Sequence, residues 1–176
     1  MSSSEVLSSR IDVSALLETP GTVLPLQGVF GVPEGLDIPL ITLPDTLSAD
    51  LVAEGLLEGV LVRGSAELEY QVQCASCLQP GTGHIAADIT ELFGEDDQAD
   101  EGFVIDPDQS IDLDPMWRDV IAAHTSDRYV CMPDCRGLCP TCGSNRNEQD
   151  CSCEDVSTDL RWQALAGLTF PDADEA

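Results

Sequence analysis

Cysteines are the residues of this sequence best able to do chemistry. Six of its eight crowd into one stretch: Cys131, Cys135, Cys139, Cys142, Cys151 and Cys153, a C-x3-C-x3-C-x2-C-x8-C-x-C array. At its centre stands Cys139-Pro140-Thr141-Cys142-Gly143, which has the form of a zinc knuckle. Two thiolates three residues apart point the same way when the backbone turns tightly, and backbone N–H groups then donate to the sulfurs. Proline fixes one dihedral of such a turn, and glycine accepts the positive φ that ends it. Zn2+ takes four soft ligands in a tetrahedron, and Cys139 and Cys142 supply two. The others come from Cys131 and Cys135 upstream or from Cys151 and Cys153 downstream. One from each side is the completion we favour, and spacing alone leaves the choice open. An iron–sulfur cluster is the alternative cofactor, because four cysteines can hold one too.

The remaining pair, Cys74 and Cys77, is an isolated C-x-x-C. A thioredoxin-like redox pair needs a helix after it, whose N-terminus lowers the first thiol's pKa. Here strand-like sequence flanks both sides. A second half-knuckle, binding metal with cysteines left over from the cluster, is the better use. A reduced pair packed as small apolar side chains is the plain alternative. Disulfides would also use an even count. However, MSSSEVLSSR opens with neither a basic stretch nor an apolar one, so the expectation is a reducing cytoplasm. His84 and His124 read as surface or capping residues rather than ligands. No nucleophile–base pair or acid pair has persuasive spacing, so the expectation is a protein that is not an enzyme. A thiol redox enzyme is the rival from that class.

The elements that must position these cysteines follow from periodicity. Val60, Val62, Ala66, Leu68, Tyr70 and Val72 alternate with Arg63, Ser65, Glu67, Glu69, Gln71 and Gln73, as in a half-buried strand. Ile85, Ala87, Ile89 and Phe93 alternate in the same way with His84, Asp88 and Thr90. CASCLQPGTG lies between them, so the first C-x-x-C caps a hairpin over 59–93. Upstream, Pro20, Pro25, Pro33, Pro39 and Pro44 disfavour helices. Short strands and turns are expected over 11–57, with one helical turn within 12–17. Asp114-Pro115 reads as a helix start, a capping carboxylate and then proline at the first position. Met116, Trp117, Val120, Ile121 and His124 follow at helical spacing and deliver the chain into the cysteine cluster. Beyond it, Leu160, Trp162, Leu165 and Leu168 form the apolar stripe of a last helix, begun by Ser157 or Asp159 and ended by Gly167.

The fold class expected is therefore α+β, mainly β: a curved or barrel-like antiparallel sheet with one or two helices and a C-terminal zinc-knuckle-like module. Its divisions are a disordered N-terminus over 1–10, a β domain over 11–93 and an acidic loop over 94–112. A helix, the cysteine-rich metal module and a terminal helix fill 113–170, and 171–176 is an acidic tail.

Charge narrows the partners. The chain of 176 residues carries 33 acidic and 7 basic residues, a formal net charge of −26. All the basic residues are arginine, which removes lysine chemistry of the P-loop or Schiff-base kind. An apolar content of 43% suffices for a core, while no apolar run is long enough to span a membrane. Binding a polyanion through a broad surface needs clustered Arg and Lys. This composition favours a basic partner instead. The stretch 94–114 offers Glu95, Asp96, Asp97, Asp100, Glu101, Asp106, Asp108, Asp112 and Asp114 without a basic residue between them. Arg128, Arg136 and Arg146, near the cluster, form a local patch able to touch phosphates.

Three segments resemble one known family. Val130-Cys131-Met132-Pro133-Asp134-Cys135-Arg136-Gly137-Leu138-Cys139-Pro140-Thr141-Cys142-Gly143-Ser144-Asn145, followed by Cys151-Ser152-Cys153, is similar to the C-terminal signature of the YceD family, the large ribosomal RNA subunit accumulation proteins. Cys74-Ala75-Ser76-Cys77-Leu78 resembles its C-x-R-C-L element, and Asp159-Leu160-Arg161-Trp162-Gln163-Ala164-Leu165 its D-P-R-W-x-x-L ending. Ser76 departs from the basic residue usual there, and 122–129 lacks the family's apolar, proline-containing run. The resemblance implies a role in accumulation or processing of large-subunit ribosomal RNA, hence in ribosome biogenesis, and carries over no catalytic residue. With the charge, it makes a basic ribosomal protein or pre-ribosomal particle the expected partner, ribosomal RNA being touched at most through the arginine patch. A zinc-stabilised interaction domain unrelated to ribosomes is the alternative.

Overall fold

Alternation of apolar and polar side chains builds most of this fold, in strands long enough to curl. The computed structural model describes residues 6–94, 102–125 and 128–153. In chain order these hold β1 (Val6–Leu7), β2 (Arg10–Asp12), α1 (Ser14–Glu18), β3 (Val23–Gly31), β4 (Ile41–Thr42), β5 (Thr46–Leu56), β6 (Gly59–Gln73), β7 (Pro80–Gly94), β8 (Phe103–Val104), β9 (Ser110–Asp112) and α2 (Asp114–His124). The main sheet runs β1-β3-β5-β6-β7-β8, with β4 also paired to β6, and β2 pairs separately with β9. Its central pairings β3–β5, β5–β6 and β6–β7 are antiparallel. The sheet curls into a half-barrel.

One face of the curl is the core. Leu47, Leu51 and Ala53 of β5 meet Val60, Val62, Ala66 and Leu68 of β6, and Ile85, Ala87, Ile89 and Phe93 of β7. α2 presses Met116, Trp117 and Ile121 against this face, and the Trp117 ring packs on Phe30 with centroids 5.6 Å apart. The other face is polar. Asp50, Ser65, Glu67, Glu69 and Asp88 are exposed there, and Asp50 and Asp88 both lie opposite Ser65, so no two of these carboxylates oppose each other across strands. Like charges directly opposite would be destabilising.

The expected hairpin over 59–93 is present as β6 and β7, with register running from Val60 opposite Phe93 to Gln73 opposite Pro80. Several expectations are corrected. Residues 6–10 are ordered: Val6 and Leu7 pair with Val29 and Phe30, and Arg10 pairs with Asp112. The Arg10 guanidinium also binds Asp106 at 2.9 Å and Asp108 at 3.0 Å. A Ser-rich composition gives no sign of such pairing, because the partner backbone lies far along the chain. The strands of 11–57 are longer than expected, with 9 residues in β3 and 11 in β5. Pro25 fits within β3 because β1 reaches only Val29 and Phe30, leaving an open edge where no N–H is needed. The stretch 94–112 is more than a loop, since it holds β8 and β9 and buries Ile111. At α2 the cap is Leu113, and Asp112 Oδ1 accepts the Asp114 N–H at 2.9 Å, so Asp114 opens the helix without capping it. The expected terminal helix, the acidic tail, residues 1–5 and residues 95–101 lie outside the described residues.

Trp117 is wholly buried, and its indole Nε1 has no hydrogen-bond partner among the described residues. Trp117→Ala should cost about 3–5 kcal/mol, the loss typical of a truncated core aromatic. Trp117→Phe should cost much less, since it keeps a ring against Phe30 and removes the orphan donor. Denaturant unfolding of both variants checks the order.

Candidate metal centre

The turn joining β6 to β7 is built as a knuckle. Cys74 N donates to Gln79 O, and Leu78 N donates back to Cys74 O, each at 2.9 Å. The second C-x-x-C repeats this pattern, with Gly143 N donating to Cys139 O at 2.8 Å. In both turns the residue after the second cysteine is left-handed, Leu78 at φ 60° and Gly143 at φ 73°. A side chain in that conformation costs roughly 1–2 kcal/mol. The first turn thus keeps the knuckle shape against the preference of its own last residue.

The chain leaving α2 is brought to this turn by Tyr129. Its ring lies over Gly81 of β7, where any Cβ would strike it, and its carbonyl accepts the Ala75 N–H at 2.8 Å. Cys131 N then donates to Cys74 Sγ at 3.4 Å. Cys77 Sγ lies 3.5 Å from Cys131 Sγ, and Cys74 Sγ lies 3.8 Å from Cys135 Sγ. Together Cys74, Cys77, Cys131 and Cys135 hold their sulfurs within 4.8 Å of one another, and Cys139, Cys142, Cys151 and Cys153 do the same. In the first tetrad Cys74 and Cys77 are buried and the other two half-buried; in the second Cys139 is buried and Cys142 exposed.

Short contacts join the two halves. Gly137, at φ 68°, sits on Ser76 so closely that a Cβ would lie 2.9 Å from the Ser76 carbonyl oxygen. Leu138 N donates to that same oxygen at 3.0 Å. Asn147 Nδ2 reaches Cys135 Sγ at 3.4 Å, and Gln79 Nε2 donates to Glu148 Oε1 at 2.6 Å.

Each tetrad contains two thiols held below their usual value. The Cys131 N–H holds the Cys74 thiol down to about 6, and the N–H groups of Cys142 and Thr141 hold Cys139 down to about 6. Hydrogen bonds from Asn147 and Ser144 likewise lower Cys135 and Cys142, while the other two thiols of each set are pushed up. Burial and then the adjoining thiols raise Cys131 to about 12; Cys142 and then burial raise Cys153 to about 12. Four thiolates cannot share so small a space uncompensated, and a divalent cation among them removes the repulsion. Either tetrad could hold a metal ion.

The structure divides the cysteines differently from the favoured completion. Cys131 and Cys135 do not join Cys139 and Cys142, because the Tyr129 anchor carries them to the hairpin turn. Cys151 and Cys153 both complete the second group. The pairing of Cys74 and Cys77 with leftover cysteines is what the structure brings together, and eight cysteines dividing into two fours was the signal for it. Ser76 and Asn147, which tie the halves together, carried no such signal. His84 and His124 are exposed and lie outside both tetrads. Arg136 is paired with Asp150 at 3.1 Å.

Residues 62–169 match the family described as large ribosomal RNA subunit accumulation protein YceD. The chain belongs to the YceD family. An uncharacterised protein of Mycobacterium tuberculosis is 32% identical over 181 residues, covering 93% of this chain and 83% of that one. An uncharacterised protein of Mycobacterium leprae is 28% identical over 175 residues, covering 92% and 77%. A maize protein named large ribosomal RNA subunit accumulation protein YCED homolog 1, chloroplastic, is 42% identical over 48 residues, covering 27% of this chain and 16% of its own. No solved structure matches the chain.

The junction at Gly137 is testable in this YceD chain. Gly137→Ala adds a Cβ both to a left-handed residue and against the Ser76 carbonyl, so it should cost more than the roughly 1–2 kcal/mol of the conformation alone. Gly143→Ala meets open space and should cost only that amount. Chemical unfolding of the reduced, metal-supplemented proteins measures the difference.

Proposed function

We propose that this protein is a non-enzymatic, zinc-holding cytoplasmic factor that supports large-subunit ribosomal RNA accumulation and subunit assembly by contacting a basic ribosomal protein or pre-ribosomal particle. The family match over 62–169 carries the ribosomal part of this reading. Zinc is the metal that best suits two closed sets of four thiolates, whose usual role is to hold a fold rather than to react. Among the described residues, no helix is long and apolar enough to cross a membrane.

Electrostatics supports the choice of partner. At −26 the mean field repels phosphate, and each four-thiolate zinc site adds a local net −2. Several arginines are already engaged: Arg10 with Asp106 and Asp108, Arg63 with Glu54, and Arg136 with Asp150. Arg118 donates to the Glu34 carbonyl. Arginines held by carboxylates make a poor phosphate surface. The polar sheet face instead offers a basic protein well-spaced carboxylates, and the sequence before β8 adds Glu95, Asp96, Asp97, Asp100 and Glu101. Screening confines this attraction to about 8 Å at physiological salt, so it acts on docking rather than at long range.

Converting Glu95, Asp96, Asp97, Asp100 and Glu101 to amides leaves untouched the carboxylates that hold Arg10 and α2. Binding to purified basic large-subunit ribosomal proteins should weaken by about 0.2–1 kcal/mol per charge and become less salt-dependent. Equilibrium binding to those proteins and to naked large-subunit ribosomal RNA, at one salt concentration, decides the matter. Tight RNA binding that the amide variant retains would move the contact to Arg128, Arg136 and Arg146.

A further inference from the structure

The two tetrads resemble each other in chemistry and differ in what they join. Cys74 and Cys77 belong to the β6–β7 turn, whereas Cys131 and Cys135 lie beyond α2, so the first tetrad ties together segments far apart in sequence. Cys139, Cys142, Cys151 and Cys153 all lie within one short stretch, so the second ties that stretch only to itself. A tetrahedral ion with metal–sulfur bonds of about 2.3 Å sets its sulfurs about 3.8 Å apart. The separations in the first tetrad, 3.5 and 3.8 Å, match that edge. A disulfide would bring two sulfurs to about 2.05 Å. A polynuclear iron–sulfur cluster places its thiolates on different irons and spreads them wider than a 4.8 Å span.

We infer that the tetrads are two separate single-ion zinc sites with unequal roles: the Cys74–Cys77–Cys131–Cys135 site staples the C-terminal module to the sheet, and the Cys139–Cys142–Cys151–Cys153 site folds only the module's own loop. The inference rests on the zinc reading above and goes beyond it in assigning each ion a role. Few other contacts could do the work of the staple. Between 128 and 153 only Cys139 is a buried apolar residue, so hydrophobic burial does not fix this stretch to the sheet. What remains is the Tyr129 packing, a few hydrogen bonds at Ala75, Ser76 and Gln79, and the thiolates themselves. In such a module the binding energy of the metal is the folding energy. The bond from Asn147 to Cys135 Sγ passes from the second loop to the first site, so the loop supports the staple without supplying a ligand to it.

Metal analysis of the full chain, purified reduced and without chelator, should give about two zinc ions, with about one left in Cys77→Ser, one in Cys142→Ser and none in the double variant. Hydrogen exchange separates the roles. Cys142→Ser should lose protection over 137–153 while the hairpin turn and 129–135 stay protected. Cys77→Ser should lose protection at the hairpin turn and over 129–138 yet keep its remaining zinc and the protection of the 139–153 loop. Cys131→Ser, which breaks the same site from its other end, should reproduce the Cys77→Ser pattern. Should either variant aggregate, stepwise removal of metal from the wild-type chain with a thiol reagent gives the same comparison. The site containing exposed Cys142 should empty first, with the hairpin turn still protected at that stage. Two zinc ions lost together, or the same exchange pattern in both variants, would overturn the unequal roles while leaving zinc itself in place. Iron, or no metal in folded reduced protein, would overturn the zinc reading and this inference with it.

Discussion

The meeting of four sulfurs at the end of the β6–β7 hairpin is the constraint on which the C-terminal half depends. Cys74 and Cys77 cannot approach Cys131 and Cys135 unless both strands run their full 15 residues and α2 directs the chain back toward their turn. The strands do so because their apolar positions stay in phase from Val60 to Val72 and from Ile85 to Phe93, keeping one face against the core throughout. A slip of one residue would expose that face and bury the carboxylates. Core packing therefore sets where the thiols lie, even though the thiols themselves are at the rim.

The helix provides the other half of the geometry. Trp117 and Met116 are fully buried and fix α2 on the concave side of the sheet. Past Thr125, whose hydroxyl and N–H both bind the Ile121 carbonyl, Tyr129 docks on Gly81, where only a glycine leaves room for the ring. The same absence of side chains recurs where Gly137 lies on Ser76. At the first point a ring packs on bare backbone and at the second backbone meets backbone, and the hydrogen bonds beside them give direction more than stability. The thiolates, with the cation that each tetrad could hold, are the further source of stability at this junction.

Charge acts on a different scale. Many of the described carboxylates lie on the outer sheet face or pair with arginine, and the core holds no ionised pair among its buried described residues. A fold stabilised by apolar packing can carry −26 when its carboxylates are spread over solvent, where each pair interacts weakly. The acidity therefore bears on what the protein can approach rather than on how it folds.

Sequence alone determined whatever is local or periodic. Period-two alternation specified the hairpin and its inward residues, helical spacing specified α2, and the C-P-x-C-G turn marked Cys139 and Cys142 as candidate ligands before any fold was known. It also determined the family, because the cysteine signature is read along the chain. It could not specify pairings between distant segments. The strands over 6–12, of which 6–10 looked disordered, depend on edges supplied by Val29–Phe30 and by β9. The division of the cysteines was beyond reach for the same reason. Cys131 and Cys135 stand nearest Cys139 along the chain, and spacing alone leaves open which shell they join. Only the tertiary structure, through the length of the hairpin and the anchor at Tyr129, brings Cys74 and Cys77 nearer to them in space, because a thiolate selects its partners by distance between atoms and not by separation in sequence.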